Sequence, residues 1–186
     1  NSIPDSFFYF SYASAFINAP RMYGVSLLGF DKVWFTQDKI TGVGIGFSLY
    51  KAWYLNNGIN YEEEDPHGKF EEKEKNGVYA FLPMRLEIPF YIFKFYDYYA
   101  YCALFAESSL LGPGDVFFPT NEVGIKLLIH SLSSNAFPLE IRLGYILFRS
   151  YEDDQMKESG TYYSRYDKYE TFYIGATIHF GWVPNW

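Results

Sequence analysis

The chain has 186 residues, enough for one domain, and carries a formal charge of −7 from 15 Lys and Arg against 22 Asp and Glu. Tyr, Phe and Trp make up 23% of it, yet the mean hydropathy is only −0.14, so large apolar side chains are balanced by polar ones. The scattered basic residues exclude a nucleic-acid interface, and the absence of any run of about 18 apolar residues excludes a membrane-spanning helix.

The opening Asn1-Ser2-Ile3-Pro4 has neither the basic region nor the apolar run of a secretory leader, so in an exported protein this numbering starts at or after the mature N-terminus. From there helical period is nearly absent and period two is widespread. Residues 6–16 read as a first strand, aromatic or small on both faces, and 21–36 as a second. In a third, 40–55, Val43, Ile45, Phe47, Leu49, Trp53 and Leu55 oppose Gly42, Gly44, Gly46, Ser48 and Tyr50. The fourth, 77–94, alternates most cleanly: Leu82, Met84, Leu86, Ile88, Phe90 and Ile92 oppose Phe81, Pro83, Arg85, Glu87, Pro89 and Tyr91. Residues 97–109 form a fifth. In the sixth, 119–131, Val123, Ile125, Leu127 and Ile129 oppose Glu122, Gly124, Lys126 and His130. In the seventh, 137–151, Leu139, Ile141, Leu143, Tyr145 and Leu147 oppose Glu140, Arg142 and Gly144. The eighth, 166–182, sets Phe172, Ile174, Ala176, Ile178 and Phe180 against Tyr173, Gly175, Thr177, His179 and Gly181.

Connections after the third, fifth and seventh strands are long, at 56–76, 110–118 and 152–165, and those near 37–39, 95–96 and 133–135 are tight. Only Ile17-Asn18-Ala19-Pro20 is short where the alternation allows length. Long loops at one end and tight turns at the other, with both termini at the tight end, predict an all-β, antiparallel up-and-down transmembrane barrel of eight strands. The minority face carries Arg85, Glu87, Glu107, Glu122, Lys126, Glu140 and Arg142, and it is rich in glycine. Glycines weaken a water-facing strand, but inside a narrow barrel they make room for partners such as Tyr91 and Arg142. The prediction is therefore polar inside and apolar toward lipid, with the seven charges paired as a lumen network. Aromatics near strand ends fit two interfacial girdles: Trp34, Phe35, Phe95, Tyr96, Tyr98 and Tyr99 beside tight turns, and Trp53, Tyr54, Phe117, Phe118, Tyr151, Tyr162, Tyr163, Tyr166 and Tyr169 beside long loops.

The last dozen residues, Gly175-Ala176-Thr177-Ile178-His179-Phe180-Gly181-Trp182-Val183-Pro184-Asn185-Trp186, alternate and close on an aromatic residue. The segment resembles the C-terminal strand of small eight-stranded bacterial outer-membrane barrels of the OmpA/OmpX-like and OmpW-like class. The resemblance implies that the barrel-assembly machinery reads Phe180, Trp182 and Trp186, although Pro184 interrupts the alternation and leaves two tryptophans as candidates for the terminal aromatic. It also implies outer-membrane lipids as surroundings and a bacterial outer-membrane location.

Pro83 and Pro89 lie six apart in one strand of a wall that offers no edge to hide them, so both missing N–H groups weaken one seam. That seam, or the lumen itself, is a candidate path for small or apolar ligands, and each proline in a bulge or beyond the lipid zone is the alternative to the seam. His130, Ser131, Ser133, Asn135 and Glu140 look a little like the His/Ser/Glu constellation of outer-membrane lipid A deacylases. They fall on a tight turn at the periplasmic end, where Ser and Asn serve the turn itself. Cys102 reads as a small hydrophobe, and neither its spacing from the three histidines nor the acidic run 62–74 forms a metal motif, so no metal and no cofactor is expected. The expectation is a non-enzymatic outer-membrane surface barrel whose loops 56–76, 110–118 and 152–165 contact host or partner proteins.

Overall fold

The computed structural model describes residues 3–55, 59–64, 67, 70–75, 78–111, 120–131, 137–156 and 162–184. β-branched and aromatic residues with one polar and one apolar face form strands throughout, and no helix occurs among the described residues. The strands are β1 (Ser6–Asn18), β2 (Met22–Phe35), β3 (Gly42–Leu55), β4 (Ile59–Glu64), β5 (Phe70–Lys75), β6 (Val78–Phe95), β7 (Tyr98–Leu111), β8 (Thr120–Ser131), β9 (Leu139–Met156) and β10 (Tyr162–Pro184). Eight of them close a barrel in the order β1-β10-β9-β8-β7-β6-β3-β2, with every neighbouring pair antiparallel. Followed once around the wall, the register runs Phe7, Val33, Gly44, Glu87, Phe105, Gly124, Gly144, Tyr173. Tyr173 lies beside Ile174, whose partner on β1 is Ile17, about ten residues along from Phe7, which is the stagger that tilts barrel strands.

The eight barrel strands match the eight expected. Two long connections differ from expectation. Residues 56–76 hold β4 and β5, a two-stranded sheet of their own, in place of a plain loop. Much of 152–165 continues β9 and β10, which pair with each other beyond the last β8 partner, Phe148, and the last β1 partner, Ile174.

Alternation also slips where the sequence shows no break. Tyr12 and Ala13, Leu27 and Leu28, and Leu49 and Tyr50 each turn two successive side chains away from the lumen. The pairs Tyr12/Leu28 and Leu28/Leu49 are missing from otherwise continuous ladders, Ser48/Pro83 and Leu49/Leu82 are missing between β3 and β6, and Leu28 and Leu82 have positive φ of 52° and 49°. A transverse crease thus crosses β1, β2, β3 and β6, and lumen-facing residues stand three apart across it in β1, β2 and β3, as in Ser48 and Lys51. Two assignments are corrected by such slips. Trp53, expected to face lipid, is buried in the lumen with Lys51 because it lies past the crease. In β6 a bulge between Pro89 and Tyr91 turns Tyr91 outward and lets Ile92 pack on a lumen cluster, the reverse of the expected faces.

Candidate functional site: a charged belt between two aromatic layers

The barrel interior is stacked in three layers. At the end that holds the termini, Phe7, Tyr9, Val33, Phe35, Tyr99, Tyr101, Ala103 and Leu128 form a floor, with Ile3, Ile92 and Trp182 packed against it. At the opposite end Phe16, Met22, Trp53, Phe105, Ile146 and Tyr173 form a roof. Phe35, Trp53 and Tyr99, expected in the outer girdles, are therefore lumen residues, whereas Trp34, Tyr54, Phe95, Tyr96 and Tyr98 are exposed. Phe117 and Phe118 lie outside the described residues, as do the side chains of Tyr151, Tyr162, Tyr163, Tyr166 and Tyr169. Glycines make the roof fit. A Cβ on Gly144 would stand 2.4 Å from the Tyr173 ring, and one on Gly24 would stand 2.3 Å from the Trp53 indole.

Between floor and roof lies the charge. Arg85, Glu87, Glu107, Glu122, Lys126, Glu140 and Arg142 are all buried, and with them Asp31 and Lys51. Lys51 bridges Glu107 and Glu122, and Arg85 meets Asp31 and, at 3.2 Å, Glu107 Oε2. Lys126 joins Glu87 to Glu140, the latter at 3.3 Å. Arg142 pairs with Glu140 through Nε and lies 3.8 Å from Glu107 through Nη1. His179 Nε2 is 3.1 Å from Glu140 Oε2, and the Tyr101 hydroxyl donates to Glu87 Oε1 at 3.3 Å. One continuous network thus spans seven strands. Burial demands such pairing, because a lone charge in this space costs several kcal/mol.

The opposite wall is built of small groups: Ser11, Ser14, Ser26 and Ser48 are buried, and Gly44 and Gly46 leave space taken by Glu87 and by Asp31 and Arg85. Ser26 Oγ donates to Ser48 Oγ at 2.7 Å and Thr177 Oγ1 to Ser14 Oγ at 2.6 Å, so these hydroxyls satisfy one another. The layers are also tied together. Lys51 Nζ stands 4.6 Å from the Phe16 ring and 5.0 Å from Trp53, and Lys126 Nζ stands 5.6 Å from Tyr101.

Asp31 and Lys51 escaped the sequence reading. Asp31 lies among apolar and aromatic neighbours in β2, and Lys51 is put on the wrong face by the crease. Asp31, Glu140 and His179 offer ligand atoms within 4.8 Å of one another. Their oxygens are already held by Arg85, Lys126 and Arg142, a surrounding that repels a dication. Cys102 is half-buried between lumen-facing Tyr101 and Ala103.

The proline strand is paired differently on its two sides. With β7 the ladder passes both prolines, as Pro83–Ser109 and Pro89–Ala103. With β3 it skips Leu82 and Pro83 and ends at Glu87–Gly44, before Pro89. Of the deacylase-like group, Ser133 and Asn135 lie outside the described residues. His130 Nδ1 is 3.1 Å from the Tyr99 hydroxyl, and Glu140 is held by its cations and His179. In the terminal segment Phe180 is exposed and stacks on Tyr12 at 4.0 Å, Trp182 is half-buried against His130 at the floor, and Trp186 lies outside the described residues.

No protein-family model and no curated protein matches the chain. Among solved structures it is similar to Neisserial surface protein A (NspA), at 9% identity and a TM-score of 0.38 over 96% of this chain and 99% of that one. It is also similar to the NanC porin, at 10% identity and a TM-score of 0.22 over 95% of this chain and 99% of that one.

Proposed function

We propose that the protein is a non-enzymatic bacterial outer-membrane barrel, a structural and surface protein whose lumen is closed and whose contacts are made by the β4–β5 and β9–β10 hairpins. The observation that carries the reading is the inversion of the usual globular pattern. Glu140 is 0% and Lys126 2% exposed, while Leu86 is 63% and Ile178 59% exposed. An aliphatic hoop, Ile88–Leu104–Ile125–Leu143–Ile174–Ile17, follows the register around most of the barrel, and all six side chains face outward. Such a hoop in water exposes far more contiguous apolar surface than a soluble monomer carries, whereas in hydrocarbon it is solvated. Among the described residues the paired belt is capped on one side by the floor and on the other by the roof, which favours a surface role over conduction. The test has two arms. Fractionation of cells should place the protein in the outer membrane with heat-modifiable gel migration, and planar bilayers holding the purified protein should show no steady channels at neutral pH. A detergent-free, monodisperse protein overturns the membrane reading, and steady channels overturn the closed lumen.

A second reading, a transport or binding barrel with a lateral path at Pro83 and Pro89, is favoured by the skipped pairing on the β3 side of Pro83. A Ser48→Cys/Pro83→Cys disulfide across that gap should abolish uptake of an apolar dye by cells if the path is used, and leave it unchanged if it is not.

A further inference from the structure

The two buried histidines of the lumen each keep a ring nitrogen without a hydrogen-bond partner, Nε2 of His130 and Nδ1 of His179. His130 is 1% exposed and His179 0%. They flank the same ring, Tyr9, at centroid distances of 5.7 and 5.2 Å. His130 is also enclosed by Phe7 at 5.2 Å, Tyr99 at 5.2 Å and Trp182 at 4.5 Å. Trp182 and Phe7 sit near the two chain ends, so the wall of this box is also the outermost layer of the floor.

We infer that His130 is an acid-operated latch on the floor of the barrel: protonation expels Trp182 and opens the mouth at the terminal end to water. The titratable and charged groups around it are few. On its own strand Lys126 adds positive charge, held by Glu87 and Glu140. From β1 it faces Tyr9 and from β7 Tyr99, which is hydrogen-bonded to Tyr9. From β10 it faces His179, whose Nε2 is engaged with Glu140 of β9. Neutral His130 is engaged at Nδ1 by Tyr99 and carries one unpartnered nitrogen, Nε2. The imidazolium donates from both nitrogens, and the Glu140 carboxylate that holds His179 is already taken by Lys126 and Arg142. Both the charge and the unpartnered proton are relieved by water, and of the four rings around His130 (Phe7, Tyr9, Tyr99 and Trp182) Trp182 is the one that is partly exposed. The roof and the belt stay closed, so the latch exposes the floor without making a channel.

Acrylamide quenching of tryptophan fluorescence tests this in folded, detergent-solubilised protein between roughly pH 8 and 3, a range that reaches well below the ordinary histidine value of about 6.5. The difference between the full chain and Trp182→Phe isolates the Trp182 contribution and leaves Trp53 in place. Its quenching constant should rise roughly twofold or more on acidification as the ring becomes solvated. The rise should vanish in His130→Phe, which fills the same space and cannot titrate, and persist in His179→Gln. Heat-modifiable migration at both pH extremes confirms that the barrel is intact. Should His130→Phe not fold, His130→Asn replaces it, and the C2-proton titration of His130 must then track the quenching midpoint. Flat Trp182 quenching in the full chain overturns the latch, as does an acid step that survives loss of His130.

Discussion

Glu140 holds the belt together at one point, because Arg142, Lys126 and His179 all converge on its two oxygens. Glu140→Gln keeps the shape and removes the charge, leaving Lys126 only Glu87 and Arg142 only the 3.8 Å contact with Glu107. Breaking a buried pair from one side costs about 3–5 kcal/mol, because the abandoned partner stays desolvated. Urea unfolding in micelles should show a loss of that size, and adding Arg142→Met should recover part of it. A loss under about 1 kcal/mol would mean that water reaches the belt. Outside the barrel wall the chemistry is milder. In the β2–β3 turn Asp38 Oδ1 accepts from the Thr36 hydroxyl and, at 3.0 Å, from Ile40 N. The Thr36 bond, followed by the Ile40 bond, holds this exposed carboxyl below its ordinary value of 3.8. Its folded value lies below its unfolded one, so the turn's support is present above the unfolded value and is lost as pH falls through the folded one. Carboxyl NMR titration should find Asp38 depressed, and Thr36→Val should bring it back toward normal.

At the level of strands, alternation exposed the eight barrel elements and the inward set of β8, β9 and β10, where the two faces keep step through Glu122–His130, Leu139–Leu147 and Phe172–Phe180. It failed where neighbours decide. The crease takes Tyr12, Leu28, Leu49 and Leu82, four residues that look like ordinary members of an apolar face. Their slip belongs to four strands moving together, and no single strand's sequence records it. The tips of β9 and β10 were read as loop because Glu152, Asp153 and Asp154 lack an apolar face, yet strand–strand pairing continues there without one. The belt was legible wherever a charge stood in clean alternation, and Asp31 and Lys51 were not. The crease also bears on the prolines. It crosses β1–β2 and β2–β3, where no proline sits, and skips one pair in each, so Pro83 widens by one pair, Ser48/Pro83, a gap that the wall makes anyway. Pro83→Ala should therefore change stability by less than about 1 kcal/mol in urea unfolding, the range of a compatible loop substitution. A larger gain, with new amide protection at Ser48, would show that proline itself holds the β3–β6 seam open.

For the whole molecule, lipid and water around the outer face make opposite predictions at one position of β9. Leu143 belongs to the outer aliphatic hoop, and Arg142, one residue away, belongs to the belt. In a bilayer the hoop faces hydrocarbon, and an arginine there costs about 2–4 kcal/mol near the midplane, falling toward zero at the interfaces. In water the same change removes an exposed leucine and costs next to nothing. Leu143→Arg should therefore destabilise the protein refolded into lipid vesicles by about 2–4 kcal/mol, while Tyr54→Arg, on the exposed face near the end of β3, should cost less than about 1 kcal/mol. The contrast between hoop and strand end, measured by urea titration in vesicles, reads depth directly. Equal and negligible costs at the two positions would place the apolar exterior in water and require another molecule to cover it.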